Sequence, residues 1–256
     1  MMNRFLCIGA TTVSFALLAV AAPALAQDQS QVNWTGFYVG GVAGGAWGDT
    51  RARARVSVGN GNVVINPGDA AALAATSNDQ TKAGFVGGIE GGYNYQMDNW
   101  LFGIEGDWTS MDLKNSNSKT LVSGALISPP ITYSLNQSIK TDWMVSLRPR
   151  IGYASGPWMG YATGGFGWSE LKYNVDFSDN RSGNDALSTG SKSTKTGWVA
   201  GLGGAYAFNQ NVSLKGEWLY ADFGHVGTAV VNNFISITPS DVVKANMFRV
   251  GLDYRF

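Results

Sequence analysis

Thr35 to Gly48 reads TGFYVGGVAGGAWG, a crowd of glycines that invites comparison with a phosphate-cradling loop. Such a loop needs a strand before the glycines and an amphipathic helix after them, so that phosphate meets free helix N–H groups. No helix pattern follows here. The stretch alternates instead: Phe37, Val39, Gly41, Ala43, Gly45 and Trp47 share one parity, and Tyr38, Gly40, Val42, Gly44 and Ala46 the other. A period of two is that of a strand.

The same alternation returns seven times. Lys82–Tyr95 sets Phe85, Ile89, Tyr93 and Tyr95 against Glu90 and Asn94, and Trp100–Leu113 sets Trp100, Phe102, Ile104 and Trp108 against Glu105 and Asp107. Asp142–Ser155 opposes Trp143, Val145, Leu147, Ile151 and Tyr153 to Ser146, Arg148 and Arg150. Trp158–Leu171 carries Trp158, Ala162, Phe166 and Trp168 on one parity, with Met159 and Tyr161 blurring the contrast. Thr196–Phe208 aligns Trp198, Leu202, Tyr206 and Phe208. Val212–Phe223 opposes Val212, Leu214, Trp218 and Tyr220 to Ser213, Lys215 and Glu217, and Lys244–Phe256 opposes Phe248, Val250, Leu252, Tyr254 and Phe256 to Arg249, Asp253 and Arg255.

Short links (96–99, Gly156-Pro157 and 209–211) alternate with long ones of roughly twenty to thirty residues, read as loops. Short turns on one side and long connections on the other are the layout of an outer-membrane barrel. The expectation is all-β: an eight-stranded antiparallel transmembrane up-and-down β-barrel.

The ends and the composition agree. A basic start to Arg4, an apolar run over Phe5–Val20 and the small-x-small pattern ending at Ala26 read as a secretory signal peptide over 1–26, with the barrel domain over 27–256. Its apolar run is short for a bilayer and lacks a basic stop-transfer flank. The one cysteine, Cys7, lies in this leader, so disulfides and thiol chemistry are excluded from the mature chain. Losing Arg4 leaves 17 basic against 18 acidic side chains, a balance that suggests no nucleic-acid partner. A soluble β-sandwich also alternates, but it buries its apolar face and does not bracket each strand with aromatics. Here Trp47, Trp100, Trp108, Trp143, Trp158, Trp168, Trp198, Trp218, Tyr220, Tyr254 and Phe256 fall near strand ends on the apolar parity, as interfacial girdles do.

In a barrel the polar parity faces the lumen. It holds Glu90, Glu105, Asp107, Glu217 and Asp253 against Arg148, Arg150, Lys215, Arg249 and Arg255, five acids and five bases. In so narrow a space these charges must pair, which predicts a largely closed lumen. The opening glycines then make room for bulky neighbours and ease the coiling of the wall.

With the strands placed, NWTGFYVGGVAGGAWG, GGIEGGYNYQMDNWLFGIEGD and the terminal FRVGLDYRF resemble the outer-membrane β-barrel family of small alpha-proteobacterial surface proteins, often grouped with porins. The resemblance covers nearly the whole chain. It implies an integral outer-membrane protein with exposed, variable loops and a structural or surface-interaction role; some relatives are described as haem-binding and others as porins. Terminal Phe256, with Tyr254 two residues before it, resembles the signal read by the barrel-assembly machinery.

Other candidates carry less chemistry. His225 follows the seventh strand in YADFGHVG and is either a haem ligand, the general base of a rim enzyme with Asp222, or an ordinary loop histidine. One histidine and no mature cysteine argue against a structural metal, and no cofactor or catalysis is expected. Arg51, Arg53 and Arg55 continue the outward parity of Trp47, which would put them level with lipopolysaccharide phosphates or, alternatively, on a solvated loop face. RVSVGNGNVVIN reads as a hairpin turning at Asn60-Gly61, and 69–77 as a short helix. The expected partners are membrane lipid, lipopolysaccharide and the assembly machinery, the expected state a monomer. The alternatives are a passive porin and a receptor for haem or host ligands.

Overall fold

A computed structural model describes residues 32–51, 54–58, 79–122, 132–180, 187–226, 230–231, 235–239 and 241–256. The leader, Arg53, Asn60-Gly61 and 69–77 lie outside the described residues.

Eight strands close an antiparallel barrel: β1 (Gly36–Arg51), β3 (Asp79–Met97), β4 (Trp100–Val122), β5 (Thr132–Ser155), β6 (Trp158–Asp179), β7 (Leu187–Ala207), β8 (Val212–Val226) and β11 (Asp241–Arg255). Around the wall the order is β1-β11-β8-β7-β6-β5-β4-β3, so each strand pairs with its sequence neighbour in the barrel and β1 closes on β11. Tight links join β3 to β4, β5 to β6 and β7 to β8, with Asp98 (φ 53°) and Gly156 (φ 57°) in the left-handed region. In the third, Asn209 Oδ1 accepts from the amides of Asn211 (2.8 Å) and Val212 (2.7 Å). Both ends of the described barrel meet at this rim, where the amide of Phe256 donates to the carbonyl of Phe37 at 3.0 Å.

Parity sorts the side chains as the alternation requires. Phe85, Ile89, Phe166, Leu202, Leu252 and Phe256 are exposed on the outer wall, and Val86, Leu101, Met144, Leu219 and Met247 are buried within it. Outside, Phe37 packs on Tyr93 (4.8 Å between centroids), Trp100 on Tyr153 (5.8 Å) and Tyr254 on Phe256 (5.3 Å) at the short-turn end, while Trp198 meets Tyr220 (5.2 Å) toward the other. The residues that blurred the fifth alternation, Met159 and Tyr161, point inward and are buried.

Two expectations need correction. The long connections between β4 and β5 and between β6 and β7 are mostly strand, since β4 runs to Val122, β5 begins at Thr132, β6 runs to Asp179 and β7 begins at Leu187. These extensions pair continuously, from Leu113↔Thr141 to Val122↔Thr132 and on to Phe177↔Leu187. Their residues lie past the outer aromatics, where neither face meets lipid and the apolar alternation that marks a membrane strand has no cause. The stretch after Arg51 carries β2 (Ala54–Val58), which pairs with β10 (Ile235–Pro239); β10 also pairs with β9 (Val230–Val231) in a separate small sheet, and the returning arm of the expected hairpin lies outside the described residues. His225 sits within β8 opposite Val242, because that strand continues to Val226.

Candidate functional site: the charged interior

The interior is built in three layers. At the short-turn end, Trp34, Leu101, Ala154, Met159, Tyr161, Ala205 and Ala207 form an apolar floor, with Val32 packed against it. Trp34 precedes β1 and is held across the floor by its amide, which donates to Gln96 Oε1 at 2.8 Å. At the outer end Ala46, Val86, Met111, Met144, Leu171, Val199, Leu219, Ala221, Phe223 and Met247 form an apolar ceiling, with Leu113 against it.

Between them lie the charges. Glu105 on β4 is the hub: Arg148 Nη2 is 2.6 Å from Oε1, while Arg150 Nη1 (3.1 Å), Lys215 Nζ (3.0 Å) and the Tyr38 hydroxyl (2.7 Å) converge on Oε2. Asp107, one pleat outward, takes Arg148 Nη2 and Arg249 Nη1, both at 3.0 Å, and a short hydrogen bond from Ser146 Oγ. Glu217 accepts Arg249 Nη2 at 2.5 Å and lies 3.5 Å from Arg148 Nη1. Glu90 pairs with Lys215 at 2.6 Å. All eight side chains are buried, with Arg148 and Arg249 at 0% exposure. Burial of this kind is tolerated only when each charge finds opposite charge and hydrogen bonds, and removing one partner costs about 3–5 kcal/mol.

Register explains the assembly. Glu105 lies opposite Arg148 across β4–β5, and Arg249 opposite Glu217 across β11–β8, so these two carboxylates meet a cation on the neighbouring strand, whereas Glu90 faces Asp107 across β3–β4 and the two reach Lys215 and Arg249 across the lumen. Arg150 adds a second mode of support. Its guanidinium lies between the Tyr38 ring (4.7 Å) and the Tyr161 ring (5.0 Å), and its Nε and Nη2 donate to Asn94 Oδ1 at 2.8 and 2.6 Å. Glycine makes the space: a Cβ on Gly92 would lie 2.5 Å from the Tyr38 hydroxyl, and one on Gly40, in the opening stretch, would collide with the Asp253 carboxylate.

Arg255 departs from the expected pairing. It turns to the short-turn rim, donates to the Gln210 carbonyl through Nε (3.0 Å) and Nη2 (2.6 Å), and covers the Trp34 ring at 4.8 Å. Parity fixed its face but not its height in the barrel. The central cluster therefore holds four cations and five carboxylates; Asp253 lies beside Glu90 and has no cation within ion-pair reach among the described residues. Glu90, Glu105 and Glu217 each offer one oxygen within 4.8 Å of the others, a spacing that could hold a metal ion. The Lys215 ammonium lies 2.6, 3.0 and 3.5 Å from these three carboxylates and supplies the positive charge there.

Tyr38, Asn94, Tyr161, Trp34 and the methionine ceiling were not singled out in the sequence. Tyr38 and Asn94 share the lumen parity with the charges, which is the signal for their place here; Trp34 precedes the first alternating residue and enters the sequence reading only within the motif that carries the family resemblance. Arg51 closes β1 and Arg55 lies on β2 opposite Thr238. Tyr254 and Phe256 lie on the outer wall.

A family model described as "Outer membrane protein beta-barrel domain" matches residues 12–256. The chain belongs to this family. Its location is the outer membrane, so the short turns face the periplasm and the extended strands the exterior. Among curated relatives, the 31 kDa outer-membrane immunogenic protein of Brucella melitensis is 32% identical over 252 residues, spanning 94% of this chain and 95% of the relative. The 25 kDa outer-membrane immunogenic protein of the same species is 26% identical over 263 residues, spanning 95% and 96%. Among solved structures, Neisserial surface protein A aligns with a TM-score of 0.38 at 16% identity, covering 87% of this chain and 98% of that one.

Proposed function

We propose that this barrel is a non-conducting, non-enzymatic element of the outer membrane whose interior is a rigid core and whose extended outer strands make its contacts with the exterior. The filled interior carries the reading: an apolar floor at Trp34, a charge cluster around Glu105 and an apolar ceiling at Met144 and Met247 lie in series along the lumen. Eight strands enclose a space that side chains can fill, whereas aqueous channels belong to barrels of about sixteen. A solute passing through would separate ion pairs such as Arg148–Glu105 and strand each charge out of water. The naming of the relatives as outer-membrane immunogenic proteins supports exposure at the surface. The protein acts as a monomer, anchored in lipid and lipopolysaccharide and inserted by the barrel-assembly machinery. A flux assay tests this reading: vesicles carrying the refolded protein should release trapped potassium no faster than empty vesicles, and rapid release would refute it.

A further inference from the structure

Past the outer aromatic girdle, strand register creates a feature that no single strand displays. Lys114 on β4 lies opposite Lys140 on β5, Lys140 opposite Lys172 on β6, and Lys172 opposite Lys192 on β7. Directly opposed residues share a face, so four lysines form one row across four adjacent strands, about 14 Å long at the usual strand spacing. That face is the outer one. Lys172 is four residues beyond Trp168 on β6, and Lys192 six beyond Trp198 on β7, an even number in each case. A register irregularity between Thr141 and Met144 shifts the parity of β5 so that Lys140 joins them.

Like charges placed directly opposite one another weaken a sheet, so the row needs anions. The fold supplies part of them. Asp142 bridges Lys140 (2.8 Å) and Lys172, and Glu170 lies 3.4 Å from Lys172. The hydrogen bonds from Lys140 and Lys172 hold the Asp142 carboxyl below its ordinary range. Lys114 and Lys192, at the two ends, are exposed and have no ion pair among the described residues; Asp112, one outward position nearer the girdle, is exposed as well. The next outward row is uncharged, with polar side chains at Ser116, Ser138 and Asn174 and Gly190 at its end.

We propose that this row is a binding site for the phosphorylated saccharide headgroup of lipopolysaccharide, with Lys114 and Lys192 taking phosphates and the Ser116–Ser138–Asn174 row taking sugar hydroxyls. Position favours a glycolipid of the same leaflet. Lys172 lies about 13 Å along the strand from girdle residue Trp168, or about 10 Å above it at normal strand tilt, the level at which headgroups begin. The site is separate from Arg51, because β1 and β6 stand on opposite sides of the ring of strands.

The test uses the refolded full mature chain in detergent, titrated with lipopolysaccharide and with the same lipopolysaccharide stripped of phosphate. The intact glycolipid should bind more tightly. K114Q/K192Q, which touches only exposed side chains, should lower that affinity about tenfold, at roughly a factor of three to five for each lysine near a charged surface, while K114R/K192R should retain it. Equal binding of the two glycolipids would overturn the proposal, as would wild-type affinity in a folded K114Q/K192Q barrel. Displacement by millimolar inorganic phosphate would overturn it too, by identifying a simple phosphate site.

Discussion

Replacing Arg148 by Met keeps most of the side chain's volume and removes its charge. In the native barrel that guanidinium is 2.6 Å from Glu105, 3.0 Å from Asp107 and 3.5 Å from Glu217, with no solvent exposure. Each of these pairs is worth about 4 kcal/mol of direct attraction at 4 Å and an effective dielectric of 20, most of it offset by the cost of taking the charges out of water. What remains in the variant is a carboxylate cluster short of one cation, and the expected loss is about 3–5 kcal/mol of unfolding free energy. Glu105 keeps Arg150 and Lys215, and Asp107 keeps Arg249, so the barrel should still fold. Denaturant unfolding in lipid vesicles, followed by tryptophan fluorescence, measures the loss. A double-mutant cycle with E105Q should recover part of it, because the stranded carboxylate is then neutral. A loss below about 1 kcal/mol would match a solvated ion pair and refute the desolvated cluster.

Three further expectations follow from other parts of the molecule. Trp34→Ala should destabilise the barrel by about 3–5 kcal/mol and raise ion leakage, since it opens the floor; unchanged stability and leakage would remove Trp34 from the plug. Deleting Phe256 should reduce the heat-modifiable, membrane-inserted form while export continues, and normal insertion would deny it a part in assembly. Replacing Arg51, Arg53 and Arg55 together by Gln should lower the lipopolysaccharide that co-purifies with the barrel, and unchanged stoichiometry would place them on a solvated face.

The barrel was legible because the membrane imposes a strict pattern: lipid on one side and a packed lumen on the other force the alternation seen at Phe85/Val86 and Leu252/Asp253. Eight of the lumen charges could be named from parity and do meet in one network. Arg255 could not be placed, because alternation gives the face of a residue and not its depth. The strands beyond Leu113 and Leu171 read as loops in the sequence because segments such as KNSNSKT lie past the lipid and have no reason to alternate in hydropathy. The lysine row was invisible for a different reason: Lys114, Lys140, Lys172 and Lys192 come together only through the pairing of four strands and an irregularity near Asp142. No local pattern encodes that register.

The central claim is that the interior is a packed core and not a passage. Single-channel recording of the wild-type barrel in a planar bilayer tests it most directly, with R148M recorded alongside. The account predicts no steady conductance for the wild type and intermittent leakage for R148M; large, long-lived wild-type channels, unaltered by R148M, would contradict it.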